Sequence, residues 1–183
     1  MITKHLSEVY KEKTIPAFRE HFKATTVHAV PRIEKVIVNI GIGRLKDEKE
    51  REEVKKSLTL ITGQLPQARP ARIAIASFKT RKGQIVGYRV TLRGKRMTEF
   101  LERFIYIAIP RMRDFRGLSK SAIDEHGNMH IAVREHIVFP ELIGEDIRRV
   151  FSLQVTAVTN AGTKERAELL FRSLGFPLTK PEK

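Results

Sequence analysis

Cysteine is absent from the 183 residues, so neither a disulfide framework nor a thiolate metal site is open to this chain, and nothing in it favours an oxidising compartment. Tryptophan is absent too and aromatic residues make up only 7%, so any stacking on bases would rest on few rings, with Phe78 and Tyr88 nearest the basic field described below. No stretch approaches the roughly 20 apolar residues of a membrane helix. Residues 1–10 carry charges throughout and lack the apolar run of a secretory signal, which together with the missing membrane helix gives the expectation of a soluble, intracellular protein. The most informative absence is local. Residues 54–98 contain no Asp or Glu at all.

The same forty-five residues hold eleven Lys or Arg, and with them +11 of the formal +14. Either side of the block the charges nearly cancel, with 11 basic against 9 acidic residues in 1–53 and 13 against 12 in 99–183. A concentrated basic field attracts a phosphate backbone, because neutralising phosphates releases condensed counterions to bulk; nucleic acid is therefore the first partner to consider. At 41% apolar residues the chain can bury a core, and its length suits one domain over 1–183 with a loose tail at 179–183.

Periodicity supplies the elements. Leu6, Val9, Tyr10, Ala17, Phe18 and Phe22 recur at helical spacing, with a break or kink expected near Thr14 because of Pro16. A strand is predicted over 33–42, where Val36, Val38, Ile40 and Ile42 share one side and Lys35, Ile37 and Asn39 the other. Asp47 as cap, Glu50 three residues on and Gly63 as stop delimit a helix near 47–62, with Val54, Leu58 and Ile61 inward. A hairpin follows, its arms predicted at 72–78 and 85–93 around a turn at 79–84. Met97, Phe100, Leu101, Phe104, Ile105 and Ala108 mark a third helix ended by Pro110. A basic loop at 111–120, strands at 129–134 and 151–158, and a last helix capped by Thr163 and closed by Gly175 complete the chain. Helices interspersed with strands, without regular βαβ spacing, predict an α+β fold with a mostly antiparallel sheet covered on one face.

The polar parity of the strands then collects Lys35, Asn39, Arg89, Thr91, Arg93, His130, Arg134, Gln154 and Thr156 on the uncovered face. Any solvated sheet face is polar; the acid-free block is what points this one to a nucleic acid. Catalytic and cofactor motifs fall short. Gly41-Ile42-Gly43 follows a strand as a dinucleotide loop would, but Lys46 holds the third glycine position, and Gly94-Lys95 lacks the first glycine of a phosphate loop because Arg89 stands there. His126 and His130 are separated by Gly127-Asn128, which breaks any helix that would align them, so no metal site is expected. Asp124, Glu125, Glu135 and Glu141 belong to no catalytic motif, and no serine sits in a nucleophile elbow, so an RNA-acting enzyme lacks its machinery and neither a cofactor nor a small-molecule substrate is expected. A membrane-surface role lacks the single basic amphipathic helix it needs.

Pro31-Arg32-Ile33-Glu34-Lys35-Val36 leading to Asn39-Ile40-Gly41-Ile42-Gly43, then Ile61-Thr62-Gly63-Gln64-Leu65-Pro66, resemble the family of the bacterial large-subunit ribosomal protein numbered five. Ile75-Ala76-Ser77-Phe78-Lys79, Gly87-Tyr88-Arg89-Val90-Thr91-Leu92-Arg93-Gly94, Ile109-Pro110-Arg111-Met112-Arg113-Asp114-Phe115-Arg116-Gly117-Leu118 and Phe139-Pro140-Glu141 follow in the family's order, so that the likeness runs from about residue 3 to 178. The resemblance implies a curved antiparallel sheet with a protruding basic β-hairpin, and a cytoplasmic place in the central protuberance of the large ribosomal subunit. Implied partners are 5S ribosomal RNA, large-subunit ribosomal RNA, peptidyl-site transfer RNA, neighbouring protuberance proteins and a small-subunit head protein reached through a bridge. The residues that would face 5S RNA are Lys35, Asn39, Gln64, Arg89, Thr91 and Arg93. The loop implied to touch transfer RNA is Lys79, Thr80, Arg81, Lys82, Gly83 and Gln84, and the bridge region includes Arg111, Arg113, Asp114 and Arg116. The chain departs from the family pattern at Val150-Phe151-Ser152-Leu153-Gln154 and at Tyr88, where a small residue is usual.

Overall fold

The computed structural model describes residues 5–23, 26–45, 47–145 and 149–179. Most of the tail expected to be loose, 180–183, lies outside them. The first helix does not break at Pro16. α1 (Leu6–Val9) widens into a π turn at Tyr10–Thr14 and continues as α2 (Ile15–Phe22), with Pro16 in the opening turn of α2. The ring of a proline clashes with the carbonyl four residues back, and the wider π turn opens the ladder there, so the disturbance expected near Thr14 is a π turn within a continuing helix. The buried Thr14 hydroxyl, 2.8 Å from Ser173 Oγ, pins this turn to the last helix.

β1 (Ile33–Gly41) buries Val36, Val38 and Ile40 and exposes Asn39, as its alternation predicts. α3 (Glu48–Thr62) is capped by Asp47, which accepts from the Lys49 N–H at 3.1 Å, and ended by Gly63 at φ 64°. Glu50 does not close a capping box; its carboxylate accepts instead from Arg149 at 2.7 Å. The first hairpin arm is a correction. β2 is Gln67–Pro70 and not 72–78, which forms no strand and carries a 3-10 turn at Ala76–Phe78. Ile73, Ile75 and Phe78 are exposed, so their strand-like spacing has no layer to pack against. Pro70, which cannot donate to a ladder, sits where the register shifts and the pairing stops.

β3 (Ile85–Leu92) leads into α4 (Gly94–Arg103), which runs on through a π turn at Phe104–Ala108 and a 3-10 turn at Ile109–Arg111. Phe100, Phe104 and Phe139 stack on one another with centroids 5.8 to 6.1 Å apart, tying α4 to the segment after β4 (Met129–Val133). β5 (Leu153–Thr159) and α5 (Lys164–Ser173) follow, the helix capped by Thr163 as expected. Gly175 follows it at φ 94°.

The five strands lie in the order β2-β3-β1-β5-β4, every neighbouring pair antiparallel. Val36, Val38, Ile40, Tyr88, Val90, Leu92, Ile131 and Val155 meet Val54, Leu58, Phe100, Leu101, Leu170 and Phe171 in one apolar cluster on the covered face. The α+β class and antiparallel sheet expected from the pattern are the observed ones. Gly87 matters to that packing: a Cβ there would lie 2.8 Å from the Ile40 carbonyl oxygen, so only glycine lets β3 approach β1 at this point.

Candidate nucleic-acid interface

Strand register decides which polar side chains share the open face. Gln67 stands opposite Arg89, Arg89 opposite Asn39, and Asn39 opposite Gln154, a continuous row across β2, β3, β1 and β5. A second row runs from Thr91 through Ile37 and Thr156 to His130 on β4. Lys35 and Arg93 each lie one residue beyond the Val36–Leu92 pair, at the end of the face near α4. Antiparallel pairing holds directly opposed Cβ atoms about 4.5–5.5 Å apart, so these groups form a fixed array of donors and acceptors.

Within the row Arg89 Nη2 reaches Gln67 Oε1 at 3.4 Å, a weak contact that leaves most guanidinium N–H groups free. Among the described residues the side chains of Lys35, Asn39, Thr91 and Arg93 have no hydrogen-bond or ion-pair partner. Of the eleven cations of the acid-free block only Lys56 and Lys95 meet a carboxylate among the described residues, Glu145 at 2.6 Å and Glu99 at 3.8 Å. Several acids elsewhere are engaged: Glu50 holds Arg149, Glu141 holds Arg103, and Glu168 holds both Lys120 and Arg172. Those two cations hold the Glu168 carboxyl below its ordinary range, the Lys120 hydrogen bond foremost, against burial that would raise it. On the β1–β3 part of the sheet face, Lys35, Arg89 and Arg93 thus meet no carboxylate among the described residues, and their positive field stands uncompensated there.

At the β4 edge the face carries a bonded cluster. His130 Nε2 lies 3.3 Å from Asp124 Oδ2 and Nδ1 lies 3.1 Å from Thr156 Oγ1, while Asn128 donates to both Asp124 oxygens at 2.7 and 2.9 Å. Burial alone would raise the Asp124 carboxyl, but the Asn128 and His130 hydrogen bonds hold it below its ordinary value. His130 is therefore oriented by neighbours on its own sheet and not by His126.

The 71–84 loop carries the other basic group. Lys79, Arg81, Lys82 and Gly83 are exposed, whereas Thr80 and Gln84 turn inward: Thr80 N–H donates to the Ile75 carbonyl at 3.2 Å, and Gln84 Oε1 accepts from the Arg81 N–H at 3.0 Å. Ala71 N–H to Gln84 O at 2.8 Å and Gly83 N–H to Ala71 O at 2.9 Å close the base. Phe78 is 74% exposed at the tip, while Tyr88 is buried on the core side opposite Ala68 and Ile40; of the two rings, only Phe78 is available to a base. Gln64 follows the Gly63 cap, half-exposed, three residues before Gln67. Arg111, Arg113, Asp114 and Arg116 are all exposed, on a separate loop that borders a cleft of about 880 Å³ beside β4. They are not part of the sheet-face rows.

Sequence reasoning missed Gln67 and Arg69, which join the open face because the edge strand lies earlier than predicted. The alternation Gln67-Ala68-Arg69 after Pro66 was the available signal, and it is too short to stand without its partner strand.

Comparison with known proteins bears on the whole of this surface. A family model described as "Ribosomal protein L5" matches residues 26–81, and a second model, for the C-terminus of the same ribosomal family, matches residues 85–178. The large ribosomal subunit protein uL5 of Chlorobium phaeobacteroides (strain BS1) is 47% identical over 176 residues, covering 96% of this chain and 90% of its own. That of Chlorobaculum tepidum is 46% identical with 96% of each chain covered, and that of Mycoplasma pneumoniae 42% identical with 96% and 98% covered.

Proposed function

The chain belongs to the family of ribosomal protein L5, and from that premise we propose that its open sheet face binds 5S ribosomal RNA while its basic loop attends a transfer RNA in the peptidyl site. At the coarser level it is a structural, non-enzymatic and RNA-binding constituent of the large ribosomal subunit, working in translation in the cytoplasm. We read residues 1–183 as one RNA-binding domain, since segments matched by both family models contribute strands to one sheet.

The observation that carries the 5S reading is the row Gln67, Arg89, Asn39, Gln154, flanked by Thr91, Lys35 and Arg93, on rigid strands with no carboxylate partner among the described residues. Held in register, such groups can match the spacing of phosphates, 2′-hydroxyls and base edges in a folded RNA, which supplies specificity beyond charge. Gln64, half-exposed just after the Gly63 cap of α3, would add a contact from the chain segment that leads into β2. The loop side chains Lys79, Arg81 and Lys82 are long, and no strand pairing holds them, which suits a ligand that comes and goes. Thr80 and Gln84 act there as braces, and Gly83 at φ 85° permits the turn. Arg111, Arg113, Asp114 and Arg116 form the side that meets a small-subunit head protein, with neighbouring protuberance proteins and large-subunit ribosomal RNA completing the setting.

The test is a filter-binding titration of 5S RNA and of unrelated structured RNA hairpins across a salt series. The reading expects tight binding of 5S RNA alone at physiological salt, with affinity falling log-linearly as several phosphates' worth of counterions are displaced. Equal affinity for the hairpins would reduce the surface to a non-specific polycation.

A further inference from the structure

β4 is an outer strand of the sheet, and its free edge is shaped. Asp124 N–H donates to the Asn128 carbonyl at 2.9 Å across the Ile123–Met129 bridge, so the even-numbered main-chain groups of this strand point away from β5. By the same alternation Met129, Ile131 and Val133 spend theirs on Ala157, Val155 and Leu153. The N–H and C=O of Ala132 then face outward and have no hydrogen-bond partner among the described residues. Exposed edges of this kind are ordinarily covered, charged or kinked. Here the edge opens into the 880 Å³ cleft whose far wall is the 112–117 loop, with Phe115 half-buried in it and Asp114 fixing the bend at φ 54°.

We propose that β4 accepts an extended acidic segment of a protein on the small subunit as an added strand, seated between Ala132 and the 112–117 loop. The proposal rests on the reading that the 111–116 segment faces a protein, and it assigns the manner of contact. Two features choose the occupant. An unpaired N–H and C=O at a strand edge are satisfied by a peptide backbone, whereas the sugar-phosphate backbone of RNA has no such alternation. Arg113, Arg116 and Arg134 outnumber Asp114 and Glu135 among the residues that line the cleft, so acidic side chains on the added strand meet complementary charge.

Amide hydrogen exchange on large subunits carrying this chain, alone and joined to small subunits, reads the edge directly. Protection of the Ala132 amide upon joining is expected. Two variants separate the manner of contact from the contact itself. Ala132→Pro deletes the outward N–H at a position where an edge strand tolerates proline, and unchanged far-UV circular dichroism checks its fold. Arg113→Glu with Arg116→Glu inverts the mouth. Light-scattering titration of subunit joining should show roughly tenfold weakening for each, about the loss of one satisfied hydrogen bond or charge pair. If the arginine variant weakens joining while Ala132→Pro does not and the amide stays unprotected, strand addition is wrong and the protein bridge stands. If neither variant weakens joining, both fail. Protection of Ala132 by large-subunit RNA without the small subunit would make the cleft an RNA seat and overturn the proposal. Should Ala132→Pro not fold, exchange on the unaltered chain decides.

Discussion

The β3 cations of the open face and those of the 71–84 loop come from the same acid-free stretch of chain, yet they are held in opposite ways. On the face, Asn39, Arg89, Thr91 and Arg93 stand on or beside strands bonded to neighbours on both sides, above a core that includes Val38, Val90 and Leu92. In the loop, the bonds joining Ala71 to Gln84, Ala71 to Gly83 and Ile75 to Thr80 all lie within residues 71–84, and Ile73, Ile75 and Phe78 are exposed. A side chain on the face cannot move without the sheet; one on the loop answers only to its own turn. Positive charge alone therefore does not define a binding mode. Anchoring does, because a pre-positioned donor loses little entropy on binding whereas a long exposed lysine loses much of its freedom.

The most forceful way to break this contrast is a pair of triple variants. Asn39→Ala, Thr91→Ala and Arg93→Ala together should abolish stable 5S RNA binding in a filter-binding titration, at roughly 1–3 kcal/mol for each lost hydrogen bond to a charged or desolvated group. Lys79→Ala, Arg81→Ala and Lys82→Ala together should leave most 5S affinity intact and instead speed dissociation of peptidyl-site transfer RNA from assembled ribosomes. Loss of 5S RNA as complete in the loop variant as in the face variant would dissolve the distinction.

Acid offers a second lever, on the strands alone. His136 is buried against Phe151, ring centroids 3.6 Å apart, and its Nδ1 accepts from the Phe151 N–H at 3.3 Å, holding the chain just ahead of β5. Burial, which disfavours the charged ring, pushes its pKa down to about 4. As pH falls below the ordinary histidine value the unfolded chain takes up the proton first, so stability present at neutral pH declines steadily and is lost once pH passes about 4, by about 3 kcal/mol in all. Urea unfolding at pH 7 and pH 4.5 should show most of this difference in the unaltered protein and much less in His136→Gln. An equal slope in both would mean that other groups set the acid response.

Glycine substitution gives the smallest but cleanest comparison. Gly87→Ala drives a Cβ to 2.8 Å from the Ile40 carbonyl oxygen inside the sheet and should cost about 1–3 kcal/mol. Gly83→Ala meets nothing within 4 Å and suffers only its left-handed backbone at φ 85°, so about 1 kcal/mol is expected, and less if the loop relaxes. Thermal unfolding of the two would read face against loop with the same added methyl group.

Residue periodicity and composition determined much of this protein without help. The alternation around Val36, Val38 and Ile40 fixed a strand and its exposed partner Asn39, Asp47 and Gly63 bounded α3, and the missing carboxylates of 54–98 located the basic field, because each is a property of neighbours in the chain. Tertiary structure alone decided the rest. Ile73, Ile75 and Phe78 read as a strand until the absence of a facing layer shows them exposed, and Gln67 joined the open sheet face only when β3 supplied its register. Tyr88 went to the core and Phe78 to the surface although both are aromatic residues near the same charges. The free edge of β4 likewise follows from which strand pairs with β5. Local sequence sets which residues can alternate, cap or turn; which polar groups stand together, and which remain unpaired, is set by contacts between segments far apart in the chain, and no short window of sequence contains them.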